Sequence, residues 1–207
     1  MLQSHNGTSF VDVPIYKHNG TTWVEAEVYG HNGSDWVLLA GGKQTYTKTW
    51  TAVWSQPYDE DNSKRTAGEL WQGWNGTQYH GSQRSLIGFD TGQIKKELEG
   101  ATITSCTVKF YSKHAWYSTG CTYRIGYHNH SSVPTTFSHT KAYQHDVLGG
   151  KPSWASFSAK ALAEGIRDGI YKGISFFAGT SKDQNYYGYA ATHSSSNPPT
   201  ITITYEK

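Results

Sequence analysis

The chain has 207 residues, and its 18 Lys and Arg almost balance its 16 Asp and Glu, so the formal net charge is +2. A balance this close does not indicate a nucleic-acid partner or a membrane surface. Leu, Ile, Val and Phe are scarce, yet 8 Trp and 15 Tyr supply large side chains for a core, and the low net charge argues against disorder. With 22 Gly and only 16% charged residues, the composition predicts an all-β protein that is extracellular or carried on a particle.

The sequence contains no segment typical of membrane insertion or of export. No apolar run approaches the roughly 18 residues of a transmembrane helix. The residues that follow Met1 lack the basic and apolar regions of a signal peptide. Either the protein does not use that export route, or the sequence is part of a longer chain.

Three copies of a thirteen-residue repeat occupy residues 2–14, 15–27 and 28–40 and align without gaps. Each copy contains Asn-Gly, the strongest short signal for a two-residue hairpin turn, because both residues tolerate a positive φ. Each repeat is therefore predicted to form a strand, a turn and a second strand. The copies share a His before the turn and an aromatic residue followed by Val after it: His5, His18 and His31; Phe10, Trp23 and Trp36; Val11, Val24 and Val37.

The three predicted hairpins are too small to be stable alone and need a partner surface. Two arrangements are open: the hairpins pack on the rest of the chain, or three chains intertwine and bury their aromatic residues on a common axis. We favour the second, which predicts a homotrimer with residues 1–44 as an assembly arm. The column of His5, His18 and His31 could hold a metal on a three-fold axis, but we expect these residues to be polar residues that flank a turn.

Residues 45–207 form the second predicted domain, after the Gly-Gly-Lys-Gln segment at 41–44 interrupts the repeat. Short alternating segments separated by turn residues predict about eight strands. In the first of these, Trp50, Ala52 and Trp54 share one face, and both Trp side chains are expected in the core. The predicted strands lie at 46–54, 69–74, 84–89, 102–111, 121–128, 169–178, 186–190 and 200–205.

Two short helices are predicted between these strands. Thr91 is expected to cap the first helix, and Ser158 is expected to cap the second. Each helix carries a pair of apolar residues on one face, which are Ile94 with Leu98 and Leu162 with Ile166. About eight strands and two brief helices predict a jelly-roll β-sandwich, with an open immunoglobulin-like sandwich as the alternative.

Cys106 and Cys121 lie on consecutive predicted strands, each in phase with apolar neighbours. They could face each other across a hairpin as a disulfide, or they could be two buried free thiols. Two cysteines are too few for a disulfide scaffold.

Two segments of the second domain resemble a known family. Arg-Ser-Leu-Ile-Gly-Phe-Asp at 84–90 leads through a short helix to Gly-Ala-Thr-Ile-Thr-Ser-Cys-Thr-Val-Lys-Phe-Tyr at 100–111. Together they resemble the pattern of DNRLRE-like jelly rolls, which occur in secreted bacterial wall proteins and at the C-termini of phage tail and fibre proteins. The ending, with Tyr-Gly-Tyr-Ala at 187–190 and Asn-Pro-Pro-Thr-Ile-Thr-Ile-Thr-Tyr at 197–205, looks like the closing strand of the phage versions. Cys106 stands where the pattern usually has Ala.

The N-terminal repeats resemble the short hairpin repeats of tail proteins in phages of Gram-positive hosts. With the jelly-roll motifs, the resemblance covers nearly the whole chain, although its motifs are structural rather than catalytic. The resemblance implies a virion component that binds a receptor or the host wall and that is a trimer.

Three stretches of the second domain combine flat aromatic rings with amides or imidazoles, as a sugar-binding site requires. Because a connecting loop rarely buries an aromatic residue, we expect loop aromatics to be better candidates than strand aromatics. The candidates are Trp71, Trp74, Tyr79 and His80 in the first stretch, Trp116 and Tyr117 at the tip of the predicted hairpin between the cysteine strands, and Tyr186 and Tyr187 in a polar loop.

The sequence shows no strong motif for catalysis or for a bound metal. The acidic run at 59–61 lies beside Lys64 and Arg65, as in a solvated loop, rather than as the carboxylate pair of a glycosidase. A Ca²⁺ site in that run is the alternative. His128 and His130 share one face at the end of a strand, but no third ligand follows at a strong spacing. We expect no enzyme activity, no cofactor and no metal.

Taken together, these observations predict a receptor-binding protein of a phage tail or fibre, located on the virion, whose jelly roll binds a glycan of the host cell wall. Its partners would be two further copies of the chain, other virion proteins and that glycan. The alternative is a purely structural virion protein, a capsid or tail decoration or a head fibre, that binds no sugar. Exposed and clustered loop aromatics would favour binding, and buried ones would favour the structural role.

Overall fold

A computed structural model describes residues 3–5, 10–12, 15–40, 43–66, 68–76 and 80–207. The chain divides into two compact units, residues 1–45 and residues 46–207. The first consists of short hairpins, and the second is a β-sandwich with two short helices. The predicted fold class is confirmed: the chain is all-β, with N-terminal hairpins followed by a sandwich of the jelly-roll type.

The first unit contains three separate two-stranded antiparallel sheets, one for each sequence repeat. They pair β1 (Gln3–His5) with β2 (Phe10–Asp12), β3 (Tyr16–His18) with β4 (Trp23–Glu25), and β5 (Val28–His31) with β6 (Trp36–Ala40). Because the repeats are in register with the hairpins, the equivalent His and aromatic residues are cross-strand partners in all three: His5 with Phe10, His18 with Trp23 and His31 with Trp36.

The turn of the second repeat shows why His and Asn recur there. The Asn19 side chain accepts hydrogen bonds from two backbone amides that follow it, at 3.0 and 2.9 Å. Gly20, whose φ is +102°, donates its amide to His18 Nδ1 at 3.2 Å. The His18 ring also contacts the edge of Trp23, with ring centroids 5.3 Å apart. The same contacts recur around Asn32, so in both repeats the His flanks and stabilises the turn.

The second unit contains a ten-stranded antiparallel sheet folded into two layers. Two of its strands, β12 and β13, were not predicted, because their sequences are polar and are interrupted by Gly and Pro at 149–152. The strands are β7 (Thr45–Tyr58), β8 (Leu70–Trp74), β9 (Ser82–Phe89), β10 (Thr102–Ala115), β11 (Cys121–His128), β12 (Lys141–Gly149), β13 (Ser153–Ser158), β14 (Gly173–Phe176), β15 (Gly188–Ala190) and β16 (Thr200–Glu206). Their order is β12-β11-β14-β9-β7-β16-β10-β15-β8, and β13 pairs with β10.

The long strand β10 organises one layer of the sandwich. Along one edge it pairs with β13, between residues 107 and 112. On the opposite edge it pairs first with β16, as far as Lys109, and then with β15, from Ser112 onward. Strands β15 and β16 therefore lie end to end on the same edge of β10.

The core lies between the two layers. In β16 the side chains alternate, so that Ile201, Ile203 and Tyr205 are buried and the Thr residues between them are not. Across the interior, the ring of Phe110 on β10 contacts the rings of Tyr123 on β11 and Phe176 on β14, at centroid distances of 4.8 and 5.0 Å. In the first strand Ala52 is buried, while Trp50 and Trp54 are partly buried and pack against the core.

Both predicted helices are present, but their N-caps differ from the prediction. In α1 (Thr91–Glu97) the cap is Asp90, whose carboxylate accepts the Gln93 amide at 3.0 Å, and Thr91 is the first helical residue. In α2 (Lys160–Arg167) the cap position is Ala159, with no side-chain hydrogen bond, because Ser158 is the last residue of β13. The four apolar residues predicted to face inward are all buried: Ile94, Leu98, Leu162 and Ile166.

The predicted hairpin between the two cysteine strands is wrong. Strand β10 pairs with β13, β15 and β16, whereas β11 pairs with β12 and β14, so residues 116–120 cross from one layer to the other. Cys121 lies near the end of β10, beside the His114 carbonyl. Cys106 is eight residues back along that strand, about 25 Å away at roughly 3.3 Å per residue. The two cysteines are buried free thiols, and burial raises the pKa of Cys106 to about 12 and that of Cys121 to about 11.

His128, which was considered with His130 as a pair of metal ligands in the sequence analysis, is a core residue. Its side chain is fully buried against the Trp54 ring, and its Nε2 lies 2.9 Å from the Ile87 carbonyl oxygen. Burial is the main cause that lowers the pKa of His128 to about 3, and the neighbouring His130 and His139 lower it further. The neutral imidazole donates Nε2–H to the Ile87 carbonyl.

Gly88 lies under the Trp54 ring, and a Cβ at this position would come within 2.1 Å of the ring. We expect Gly88→Ala to lower the free energy of unfolding by about 2 kcal/mol or more, because the aromatic ring has to move. Gly92→Ala is a matched control, since its Cβ would meet nothing closer than 3.4 Å and Ala favours a helix by up to about 1 kcal/mol. Urea unfolding of the two variants checks this prediction, and equal midpoints for both would contradict it.

The buried His128 makes stability depend on pH in acid. The unfolded side chain takes up a proton near pH 6.5, whereas the folded one does so near pH 3. Between these values the unfolded state holds more protons, so stability present at neutral pH is lost as the pH falls, at up to about 1.4 kcal/mol per pH unit. Urea unfolding from pH 7 to pH 3.5 should show a shallower pH slope for His128→Gln than for the wild type, and parallel slopes would refute this origin.

Candidate functional site

Three rings lie side by side on neighbouring strands of the second unit. Trp71 of β8 is paired in register with Tyr189 of β15, which is paired with His114 of β10. The Trp71 and Tyr189 ring centroids are 4.4 Å apart, and those of Tyr189 and His114 are 5.0 Å apart and stacked. The residues beside them on these strands, Leu70, Gln72, Ala115 and Ala190, are buried. The three rings therefore project from the outer face of this layer.

Two further rings extend this row at its end. Tyr187 contacts Trp71, His114 and Trp116, at centroid distances of 5.9, 6.2 and 6.1 Å. Tyr187 is 6% exposed, whereas Trp116 is 55% exposed. We call Trp71, His114, Trp116, Tyr187 and Tyr189 the aromatic cluster.

Charged side chains border the aromatic cluster on one side. The guanidinium carbon of Arg65 lies 4.7 Å from the centroid of the Trp71 ring, as in a cation–π contact. Lys113, next to His114 at a bulge of β10, forms an ion pair with Glu69. These charges stand between the cluster and a groove.

A groove of about 400 Å³ adjoins the aromatic cluster, and the three charged residues that border the cluster, Arg65, Glu69 and Lys113, also line the groove. Strand β16 lies between β7 and β10 but is shorter than either. Where β16 ends at Thr200, β7 continues on one side and β15 and β8 lie on the other. The groove occupies the space between β7 and these two strands. Apart from Pro57, its lining is mainly polar: Ser55, Gln56, Arg65, Thr66, Gly68, Glu69, Lys113, Thr192, His193, Ser194 and Ser195. Hydroxyls, amides and charges beside aromatic rings are what a carbohydrate site needs.

A hydrogen-bond pair orients one imidazole in the groove. The Ser55 hydroxyl accepts the His193 backbone amide at 3.2 Å and lies 2.9 Å from His193 Nδ1. Both contacts of the Ser55 hydroxyl hold the imidazole at its Nδ1 side. The His193 ring thereby adds polar nitrogen atoms as well as an aromatic surface to the groove.

The side chain of Gln72, buried between the layers, fixes the position of the strand that carries Trp71. Its Oε1 accepts the Arg124 amide at 2.8 Å, and its Nε2 donates to the carbonyls of Thr122 and Tyr186 at 2.9 and 3.1 Å. Gly73 allows this approach, since a Cβ there would lie 2.4 Å from the Tyr186 carbonyl oxygen. Strand β8, β11 and the segment before β15 are thereby tied together.

Burial keeps the two inner polar rings of the cluster uncharged at neutral pH. Burial, together with the nearby charge of Lys151, lowers the pKa of His114. Burial also raises the pKa of Tyr187, and the positive charge of Arg65 partly opposes this effect. A neutral imidazole carries one donor and one acceptor, which suits a sugar hydroxyl.

Three of the eight predicted binding residues come together. Trp71, Trp116 and Tyr187 belong to the aromatic cluster, although they come from three different stretches of the sequence. The exposed Tyr117 follows Trp116 in the crossing segment. Tyr79 lies outside the described residues.

The other three predicted residues lie apart from the cluster. Trp74 is near the ammonium group of Lys182, 5.5 Å from the ring centroid. Tyr186 stacks against the guanidinium of Arg124 at 4.1 Å. His80 Nδ1 lies 3.0 Å from a carboxylate oxygen of Asp59.

Two of the residues that the prediction missed lie on strands, and the third, Arg65, lies in the loop between β7 and β8. His114 and Tyr189 stand at the centre of the aromatic cluster, and Arg65 lies over its Trp. One signal was available, because Tyr187 and Tyr189 alternate and so share a face. Because loop aromatics were expected to form the site, the prediction included Tyr186 and Tyr187 but left out Tyr189, which lies on β15.

Among the residues that the structure describes, no three His, Cys, Asp or Glu side chains are grouped so as to hold a metal ion. In the same residues, none of the helices has the length and apolar character needed to cross a bilayer.

Comparison with protein-family models and with curated protein sequences finds no match to this chain. The geometry of the aromatic cluster and the groove therefore carries the functional argument.

Proposed function

We propose that the second unit binds a carbohydrate on the outer face of its sandwich, through the aromatic cluster and the adjoining groove. The observation that carries this proposal is the row of Trp71, Tyr189 and His114, which stands beside a groove lined by hydroxyls, an imidazole and charges. Aromatic rings pack against the apolar side of a sugar ring, and the polar groups hydrogen-bond its hydroxyls. The exposed Trp116 is the ring best placed to meet a ligand from solvent.

We extend the proposal to the biological setting that the sequence resemblance implies. The chain would be a receptor-binding component of a phage tail or fibre that recognises a glycan of the host cell wall. The sandwich supplies the binding site in this proposal, and the hairpin repeats supply the assembly arm. Binding rather than catalysis is the role that an aromatic surface of this kind supports.

Exposed aromatic residues in the first unit support the proposed homotrimer. Among residues 15–36, whose side chains are described, Ala26 alone is buried. Trp23 and Trp36 are each 70% exposed, and Tyr16 and Tyr29 are 55% and 47% exposed. Large aromatic side chains repeated on one small hairpin after another are typical of an interaction surface. This observation alone would also fit a structural fibre that binds no sugar.

The carbohydrate site predicts that Trp116→Ala weakens binding by about tenfold, the loss typical of one well-packed aromatic contact. The measurement is binding of the full chain to an array of purified bacterial cell-wall polysaccharides. Trp154→Ala is the matched control, because Trp154 is also an exposed Trp but lies on β13 against Tyr111, outside the cluster. Equal losses for both variants, or no binding to any polysaccharide by the wild type, would contradict the proposal.

The assembly arm predicts a mass in solution near three times the 23.0 kDa of one chain. Light scattering on the full chain measures this mass, and the double variant Trp23→Ser/Trp36→Ser should shift it toward a monomer because the exposed indoles are lost. Trp154→Ser, which removes an exposed indole from the sandwich, should leave the mass unchanged. A monomeric wild type at all concentrations would rule out the arm as a trimerisation element.

A further inference from the structure

We propose that the groove selects a carbohydrate that carries an anionic group, and that Arg65 is the residue that binds this group. The inference rests on the proposed carbohydrate site and goes further by naming the chemical class of its ligand. Either a carboxylate on the sugar or a phosphate between sugars would supply the same chemistry, a compact group of negatively charged oxygen acceptors.

Arg65 is held rigidly where the groove meets the aromatic cluster. Its backbone amide donates to the Pro57 carbonyl at 3.0 Å, and its own carbonyl accepts from Gln56 Nε2 at 2.8 Å. Its guanidinium carbon lies within cation–π distance of the Trp71 ring, and one Nη donates to the Gln83 side-chain oxygen. A planar donor fixed in this way loses little freedom when it binds an anion.

The charge of Arg65 is not neutralised by a carboxylate within the described part of the chain. The acidic side chains nearby have other partners: Glu69 pairs with Lys113, and Asp59 contacts His80. Gln83, the group that does accept from Arg65, is fully buried and uncharged. This contact uses one of the five guanidinium N–H groups, and the residues that the structure describes take up none of the other four.

The rest of the groove is also rich in donors. Lys113 adds an ammonium group, and Thr66 and Ser194 add hydroxyl groups to the lining. Counting Arg65, Lys113 and Glu69, the groove carries one net positive charge. An acceptor-rich, negatively charged substituent complements this lining, whereas a neutral sugar would leave the Arg65 charge without a partner.

The test uses wall polysaccharides that bind the full chain, each compared before and after removal of one kind of anionic group. Hydrofluoric acid cleaves phosphodiesters, and carbodiimide activation with borohydride reduction converts sugar carboxylates to alcohols, so the two treatments distinguish the two sources of charge. We expect one treatment to weaken wild-type binding by about ten- to hundredfold, the effect of losing a charged hydrogen-bond partner.

Arg65→Gln should bind the untreated polysaccharide as weakly as the wild type binds the treated one, and it should no longer distinguish the two. Arg124→Gln is the matched control, because Arg124 also stacks on an aromatic ring but lies outside the groove, beside Asp146. Thermal unfolding of both variants establishes that they fold. Salt gives a second readout that needs no substitution. A higher salt concentration should weaken wild-type binding to the untreated polysaccharide and leave binding to the treated one unchanged.

The outcomes separate this inference from the proposed function. If neither treatment changes wild-type binding, or if Arg65→Gln keeps the preference for the untreated form, the anionic ligand is wrong while the carbohydrate site stands. If no polysaccharide binds at all, both proposals fail.

Discussion

The arrangement on which the candidate site depends is the division of one edge of β10 between two strands. Strand β16 pairs with β10 as far as Lys109, and β15 pairs with it from Ser112 onward. Because β15 and β16 lie end to end, the residues that join them loop out over the end of β7, and a groove opens there. The same pairing places Tyr189 between Trp71 and His114. The groove and the aromatic cluster are therefore two consequences of one feature of the topology.

Close backbone contact at two glycines makes this arrangement possible. A Cβ on Gly188 would lie 2.3 Å from Cys121 Sγ and 2.6 Å from the His114 carbonyl oxygen, and one on Gly73 would meet the backbone at Tyr186. Without side chains at these positions, β15 and β8 approach their neighbours closely enough for the Tyr189 ring to stack on His114 and to contact Trp71. Gln72 then ties the layers together by hydrogen bonds to backbone groups of β11, in the manner of an additional strand. The outer aromatic surface thus depends on small and polar residues beneath it.

The local features of the fold could be predicted from the sequence, and the contacts between distant strands could not. Strict alternation marks β16, and Asn-Gly marks each hairpin, because both patterns act over a few residues. Strand β13 was missed because its two large apolar residues, Trp154 and Phe157, lie on opposite faces and hide the alternation. The pairing partners of β10 depend on the whole topology. The aromatic cluster combines residues from β8, β10 and β15, which are far apart in sequence. Each aromatic residue was visible, but no local signal indicates that Trp71 and His114 flank the same Tyr.

The aromatic residues of the two units are in opposite energetic situations. In the sandwich, most rings are buried or in contact with other rings, and Trp116 is the most exposed of the Trp and Tyr side chains described there. In the hairpins, large rings are exposed throughout residues 15–36, where Ala26 is the one buried side chain. Two-stranded hairpins bury too little apolar surface to offset the entropy of ordering their residues. Their regular repetition of Trp and Tyr is therefore the feature on which the proposed trimer rests, whereas the sandwich has a core of its own and its outer rings carry the proposed binding site.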